Sequence, residues 1–232
     1  IDRALWAVVM EAYVHGVSTR KVDDLVRALG IDAGISKSEV SRICGELDGV
    51  VGAFRERRLE HTTFPYVFLD ATYVKAHEGP SVVSKAIVIA TGVTASGDRE
   101  VLGLAVGDSE DGAFWTAFLR SLRARGLGGV RLVISDAPEG LKGAIATVLI
   151  GAAWQRCRVH FLRNVLARIQ KGRAEMVLAL IRTIWAQPDP AAVREQLDAV
   201  ADKLSPGFPV VAAMLREARE DVTAFAAFPF AH

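Results

Sequence analysis

Residues 66–73 read YVFLDATY, a short apolar run that carries one carboxylate, and the rest of the chain is organised around it. Aromatic and branched apolar side chains in a run of this length predict a buried strand. Asp70 then stands at the carboxyl end of that strand, at the edge of a sheet. A single aspartate there is most often a structural cap or a solvated strand end, so this run alone assigns it no chemistry.

A second strand of the same kind lies downstream. Residues 130–136 read VRLVISD, so a buried-type strand again delivers one acid, Asp136, at its carboxyl end. If the two strands are neighbours, the two carboxylates repel each other unless a cation lies between them. Mg²⁺ is the simplest such cation, because it is bound by one or two carboxylates together with water and substrate phosphate. The two aspartates therefore predict a metal site suited to phosphodiester chemistry.

Residues 64–159 alternate strand and helix signals. Strands are predicted at 82–94 and 99–106 around a turn at 95–98, and the last strand at 152–159. Helical periodicity marks the segment around 114–122 and residues 140–150. Hairpins followed by strand–helix–strand units predict an α/β fold with one mixed sheet and helices packed on it. In such a sheet the first strand can lie beside the fourth, which brings Asp70 close to Asp136.

Residues 1–63 predict a separate helical region. A helix ends near Gly30, and Ser36 with Glu39 has the spacing of a capping box at the start of the next helix. A short helix, a tight turn and a capped helix outline a helix-turn-helix, whose exposed first turn here holds Lys37, Ser38, Ser41 and Arg42. We predict that these four side chains contact DNA; an ordinary helical hairpin is the alternative.

Residues 160–232 show helical periodicity throughout, with breaks at prolines, and predict an all-α domain. Residues 154–174 contain no acid, although six Lys or Arg residues fall there. Within this stretch Arg156, Arg158 and Arg163 are predicted to contact a phosphate backbone. The alternative is a solvated helix face balanced by acids elsewhere.

Cys157 and His160 have the spacing of half a zinc site. A closed structural zinc site needs four ligands, and the other Cys and His residues show no paired spacing. A pair that supports the structure or the active site is therefore the preferred interpretation.

Composition excludes several classes of protein. The chain has 232 residues, of which 51% are hydrophobic and 24% charged, with a net charge of +1. Two cysteines predict no disulfide framework and suit a reducing cytosol. The longest apolar run, 145–154, is too short to span a bilayer, so no membrane partner is expected. The chain begins with Ile1 and ends on an apolar stretch, from which we expect a fragment of a longer protein.

Several long segments closely resemble the Mutator-type transposases of bacterial insertion sequences. The segments are YVFLDATYVK (66–75), VLGLAVGDSEDGAFWTAFLRSLRARGLGGVRLVISDAPEGL (101–141) and WQRCRVHFLRN (154–164). The resemblance extends upstream to GVSTRKVDDLVRALG (16–30) and ISKSEVSRICGELD (35–48), and downstream to FAAFPFAH (225–232).

The resemblance implies an RNase H-like core with a triad of acids that binds Mg²⁺ or Mn²⁺. It implies a helix-turn-helix region before the core, and a helical insertion between the second Asp and the catalytic Glu. Asp70 and Asp136 match the first two acids, and Cys157 and His160 match a Cys-x₂-His element. The Glu is expected beyond residue 232, so residues 1–232 alone are expected to be inactive. Pro138 replaces a His that the family usually has.

The function that this resemblance implies is a DNA transposase. It would bind terminal inverted repeats and target DNA as a homo-oligomer, cut DNA with a metal and transfer the freed strand. The expected location is the bacterial cytoplasm, at the nucleoid. Two alternatives stay open: a remnant that only binds and regulates DNA, and an RNase H-like nuclease.

Overall fold

The strand that contains residues 66–73 is the centre of a five-stranded sheet in the computed structural model, which describes residues 3–14, 17, 19–28, 35–136 and 140–229. The strands are β1 (Tyr66–Glu78), β2 (Ser81–Val93), β3 (Arg99–Gly107), β4 (Leu132–Ser135) and β5 (Ala153–Arg156). The helices are α1 (Arg3–Val14), α2 (Thr19–Ala28), α3 (Lys37–Glu56), α4 (Gly112–Ala124), α5 (Leu141–Val148), α6 (Arg158–Leu166), α7 (Ala174–Ile184), α8 (Pro190–Leu204), α9 (Pro209–Glu217) and α10 (Arg219–Thr223). The predictions that concern Gly30 and Pro138 lie outside the described residues.

The sheet is mixed, and its strand order is β3-β2-β1-β4-β5. β2 runs antiparallel to both β1 and β3, whereas β4 is parallel to β1 and to β5. The prediction of an α/β fold with a mixed sheet is confirmed. The predicted placement of the first strand beside the fourth is confirmed as well, and this adjacency positions the two aspartates.

Two predicted strand ends are wrong. β1 does not end at Asp70, because the hairpin with β2 continues from the pair Asp70–Ile89 to the pair Glu78–Ser81. The last strand stops at Arg156 rather than Val159, because α6 begins at Arg158. The Cys157 N–H donates to the Ser135 carbonyl at 2.6 Å, and the chain turns into the helix from there.

One face of the sheet carries a hydrophobic core. Val67, Leu69 and Val133 are buried on that face and pack against α4 and α5. α4 contributes Trp115, Phe118, Leu119 and Leu122, which follow helical spacing and are all buried. Asp111 caps this helix, because its side chain accepts the Phe114 N–H at 2.8 Å. The core therefore fixes α4 against the strands that carry the aspartates.

Helices α6–α10 enclose a second core. Its buried members include Phe161 on α6, Ile181 and Ile184 on α7, Leu197 on α8 and Leu215 on α9. The prediction of helices after residue 160 is confirmed, although the first of them starts two residues earlier. Gln155 on β5 accepts the Phe225 N–H at 2.9 Å, so this bundle is bonded directly to the sheet.

The chain divides into two compact units, residues 1–57 and 58–232. In the first unit, α1, α2 and α3 share a core that includes Val9, Val26 and Ile43. Ser36 caps α3 as predicted, accepting the Glu39 N–H at 3.2 Å. The predicted domain boundaries after residues 63 and 159 stay predictions. None of the described helices combines the length and the apolar composition that crossing a bilayer requires.

Candidate metal site and the residues around it

Asp70 and Asp136 each follow the last paired residue of two neighbouring parallel strands. Leu69 pairs with Ser135 at the end of the β1–β4 ladder, so the next residue on each chain segment is an aspartate. Because parallel strands present their carboxyl ends at one edge, both acids lie at the same edge of the sheet. Asp70 is thus the first residue of β1 beyond its pairing with β4. From there on, β1 is still paired with β2.

Both aspartates line one pocket of about 200 Å³. Its walls come from β1, the loop after β3, α4, the end of β4, α5 and α6. The lining residues are Leu69, Asp70, Ala71, Glu110, Trp115, Ser135, Asp136, Leu141 and His160. Among the described residues that line it there are three carboxylates and one histidine, and no Lys or Arg. This charge pattern favours a cationic occupant.

The chemistry of these side chains fits a divalent metal of the Mg²⁺ type. Carboxylate oxygens are the ligands that such cations prefer, and one or two of them suffice when water and substrate complete the shell. The Nδ1 atom of His160 is buried, and it has no hydrogen-bond partner among the described residues. Within the described parts of the chain, no group of three or more His, Cys, Asp or Glu side chains is placed to hold one ion. The pocket therefore fits a metal held by Asp70 and Asp136 together with non-protein ligands.

Cys157 and His160 face different cavities. His160 lines the acidic pocket, whereas Cys157 lines a larger cavity of about 400 Å³ together with Arg158 and Phe225. The described residues therefore offer this pair no shared metal site of the zinc type. Cys157 instead joins α6 to β4 through its backbone N–H, so it helps to position His160.

Ser135 and Trp154 orient the start of the segment after β4. The Ser135 hydroxyl donates to the Asp136 carbonyl at 2.6 Å and accepts the Trp154 indole N–H at 2.8 Å. Ser135 is only 3% exposed, so these bonds are made away from water and are correspondingly firm. The sequence predicted neither residue, because a serine before an aspartate carries no signal of its own.

Glu110 is an acid of the pocket that the sequence analysis missed. It lies in the loop between β3 and α4, and its side chain shares the pocket with both aspartates. Four acids of the helical bundle do not line the pocket: Glu195, Glu217, Glu220 and Asp221. β3 is antiparallel to β2, which is antiparallel to β1, so β3 points in the same direction as β1. The loop after β3 therefore starts at the same edge of the sheet as the two aspartates. The predicted strand directions could have indicated that an acid in this loop lies near them.

The four predicted DNA contacts of the first unit lie on the first turns of α3. Lys37, Ser38, Ser41 and Arg42 are all exposed. Arg42 is engaged by acids of its own helix, since it donates to Glu39 at 2.9 Å and also pairs with Glu46. The hydrogen bond from Arg42 lowers the pKa of Glu39. In a full capping box, the Glu39 carboxylate would accept the backbone N–H of Ser36. Here it accepts hydrogen bonds from Arg42 instead.

The three predicted arginines of the second unit have different surroundings. Arg158 is half-buried between aromatic rings, 3.9 Å from the Phe225 centroid and 5.1 Å from that of Trp185. Burial lowers the pKa of its guanidinium. Arg156 lies 5.2 Å from the Phe161 centroid and is partly buried. Arg163 is exposed on α6 and has the accessibility that a phosphate contact requires.

Gly140 is expected to be irreplaceable at the start of α5. Its φ is +87°, and a Cβ there would lie 2.7 Å from both the Cα and the N of Gly112. We expect Gly140→Ala to lower the free energy of unfolding by about 2 kcal/mol or more, because left-handed backbone strain is added to a backbone clash.

Gly143→Ala is the matched control in the same helix. A Cβ at Gly143 meets nothing within 4 Å, so the substitution should stabilise the helix by about 0.5–1 kcal/mol. Urea unfolding of both variants checks the pair. An equal effect of the two substitutions would contradict the role assigned to Gly140.

Comparison with known families identifies the chain. A family model described as "Transposase, Mutator family" matches residues 1–232. The chain therefore belongs to the Mutator family of transposases, as the sequence resemblance predicted.

Curated relatives support the same family. The chain is 47% identical over 228 residues to the "Transposase for insertion sequence element IS1081" of Mycobacterium tuberculosis, covering 98% of this chain and 55% of that protein. It is 40% identical over 194 residues to the "Transposase for insertion sequence element IS256 in transposon Tn4001" of Staphylococcus aureus, covering 84% and 50%. It is 39% identical over 231 residues to the ISRM5 transposase of Rhizobium meliloti, covering 100% and 58%. The chain thus spans about half the length of the curated relatives it matches.

Proposed function

We propose that this chain forms part of an insertion-sequence transposase that cleaves DNA and transfers the cleaved strand. The observation that carries the proposal is the pocket shared by Asp70 and Asp136, at the edge where β1 and β4 stop pairing. Family membership supplies the reaction class, since the relatives are named as transposases of insertion sequences. Asp70 and Asp136 would hold Mg²⁺ or Mn²⁺ in this pocket.

The residues of the pocket have separate tasks in this proposal. A bound divalent metal supplies charge neutralisation at the scissile phosphate and activation of the attacking oxygen. Asp70 and Asp136 provide the negative charge that retains such a cation. Ser135, fixed by Trp154, orients the backbone that carries Asp136. His160 lines the pocket, and its buried Nδ1 has no hydrogen-bond partner among the described residues.

The finer fold assignments belong to the same proposal. The mixed sheet with the order β3-β2-β1-β4-β5 supports an RNase H-like core. The capped helix α3, which follows α2 after a short connection, supports a helix-turn-helix with Lys37, Ser38, Ser41 and Arg42 on its exposed turns. To contact DNA, Arg42 would have to leave Glu39 and Glu46 and bind phosphate instead. Its own exposure permits this change of partner.

The partners in this proposal are the terminal inverted repeats of the element and the target DNA. Joining two element ends calls for at least two active sites, so a homo-oligomer on DNA is expected. The proposed location is the bacterial cytoplasm, at the nucleoid.

Cleavage assays on the full-length transposase that carries this chain test the proposal. The expected result is nicking at the ends of the inverted repeats that requires Mg²⁺ or Mn²⁺. Binding to the repeats without cleavage would instead favour a regulator, and cleavage of DNA regardless of sequence would favour a nuclease. Running residues 1–232 in parallel tests the prediction that they are inactive alone.

Arg163 and Arg158 should respond differently to substitution. Arg163→Gln is expected to reduce the salt dependence of DNA binding by about one unit of slope, with stability unchanged, because an exposed phosphate contact is lost. Arg158→Gln is expected to lower the free energy of unfolding by about 2 kcal/mol, because Gln lacks the desolvated guanidinium that Arg158 places against the Trp185 and Phe225 rings.

Salt titrations of DNA affinity and urea unfolding measure the two effects. Each arginine serves as the control for the other, since both lie on α6 and both lose one positive charge. A larger change of salt slope in Arg158→Gln than in Arg163→Gln would reverse the assignment.

A further inference from the structure

The loop between β3 and α4 holds three acids, and two of them have partners that do not line the acidic pocket. Asp108 pairs with Lys85 at 2.5 Å and is 85% exposed. Asp111 accepts the Phe114 N–H at 2.8 Å and the Ser109 hydroxyl at 3.0 Å. These hydrogen bonds lower the pKa of Asp111, so it stays ionised as the cap of α4. The remaining acid of the loop, Glu110, lines the acidic pocket.

Tyr73 on β1 lies beside Glu110. Desolvation, followed by the negative charge of Glu110 and hydrogen bonding to its side chain, raises the pKa of Tyr73. The register explains the contact, because Gly107 at the end of β3 pairs with Ala86, which in turn pairs with Tyr73. The loop therefore starts level with a residue only three positions beyond Asp70.

The position of Glu110 indicates what it can do for a cation. It faces the same pocket as Asp70 and Asp136, with no Lys or Arg among the described lining residues to neutralise it. These carboxylates are nevertheless not placed to hold one ion as a direct three-ligand group. A carboxylate that shares the pocket without being a direct ligand acts on a hydrated cation through the water ligands, which it orients by accepting their hydrogen bonds.

We propose that Glu110 is a positioning residue of the metal site, accepting hydrogen bonds from water ligands of a divalent metal held by Asp70 and Asp136, with Tyr73 keeping it in place. This inference rests on the proposed function of the two aspartates. It assigns a role to a residue of the β3–α4 loop, distinct from the acids at the strand ends.

Binding of Mn²⁺ to the chain, measured by electron paramagnetic resonance, tests this role without any need for cleavage. Glu110→Gln is expected to weaken Mn²⁺ binding about tenfold, the effect of removing an outer partner of a metal ligand. Tyr73→Phe should weaken it in the same direction by a smaller factor. Asp108→Asn is the matched control, because it removes the same charge from the same loop but its side chain pairs with Lys85 outside the pocket.

The outcomes separate Glu110 from the site itself. If Asp70→Asn weakens Mn²⁺ binding while Glu110→Gln behaves like Asp108→Asn, the role of Glu110 is refuted and the proposed function stands. If Asp70→Asn leaves Mn²⁺ binding unchanged, the metal site is refuted and the role of Glu110 with it. Pulsed resonance in D₂O counts the water ligands of bound Mn²⁺. The count should not change in Glu110→Gln, and a gain of one water would make Glu110 a direct ligand and overturn the positioning role.

Discussion

Cleavage of repeat-containing DNA by the full-length transposase is expected to fall about 10³-fold when either Asp70 or Asp136 is replaced by Asn. Asn keeps the size of the side chain and removes the charge that retains the cation. A metal contributes several kcal/mol to stabilising charge in the transition state, and each factor of ten in rate is about 1.4 kcal/mol. Because the two aspartates act on one metal site, the double variant should lose little more than either single variant.

The measurement is the initial rate of metal-dependent nicking, with binding to the repeats determined in parallel. Repeat binding should survive both substitutions, since the proposed sequence-reading residues lie on α3 in the other unit. Asp108→Asn removes a carboxylate that is 85% exposed and should cleave at the parental rate. Nicking at more than a tenth of the parental rate in Asp70→Asn or Asp136→Asn would remove that residue from the catalytic site.

The position of the two aspartates could be predicted from sequence because it depends on topology. A hairpin, a second hairpin strand and a strand–helix–strand unit leave few ways to build one sheet, and the adjacency of β1 and β4 follows from that order. The acid at the end of each apolar run then identifies Asp70 and Asp136. The family resemblance pointed to the same two residues independently.

The ends of β1 and β5 could not be predicted, because local sequence does not encode where a neighbouring strand stops. Thr72, Tyr73 and Val74 are exposed, yet they remain in strand conformation because β2 supplies hydrogen bonds along its whole length. The last strand was predicted to extend to Val159. Val159 instead lies in α6, whose buried Phe161 and Val165 pack into the helical core. Tertiary contacts outweighed β-propensity there.

The surroundings of Glu110 and Arg158 could not be predicted from the sequence, for a different reason. Both depend on contacts between segments that are far apart in the chain, Tyr73 with Glu110 and Arg158 with Trp185 and Phe225. A run of arginines without acids indicates positive charge but not which members are covered by aromatic rings. Charge patterns in sequence therefore identify a candidate region, and burial decides among its residues.

Trp115→Ala is expected to lower the free energy of unfolding by about 3–5 kcal/mol, the largest effect on stability that we predict. Trp115 is 1% exposed and is among the largest fully buried side chains among the described residues. Its ring makes edge contacts with Phe114 and Phe118, with centroids 6.1 and 6.4 Å apart, and it also lines the acidic pocket. Removing it leaves a cavity between α4 and the sheet, in the wall of the pocket that Asp70 and Asp136 share.

Urea unfolding followed by circular dichroism measures the loss, and two further substitutions show its origin. Trp115→Phe should cost less than about 1.5 kcal/mol, because a ring still fills the site and the indole N–H, which has no partner among the described residues, is removed. Ile150→Ala should be nearly neutral, since Ile150 is 86% exposed in the same unit. If Trp115→Ala lowered the free energy of unfolding no more than Ile150→Ala does, the packing of Trp115 would not be what holds α4 beside the pocket. Mn²⁺ affinity in Trp115→Phe should stay close to the parental value, because the wall of the pocket remains while its ligands are untouched.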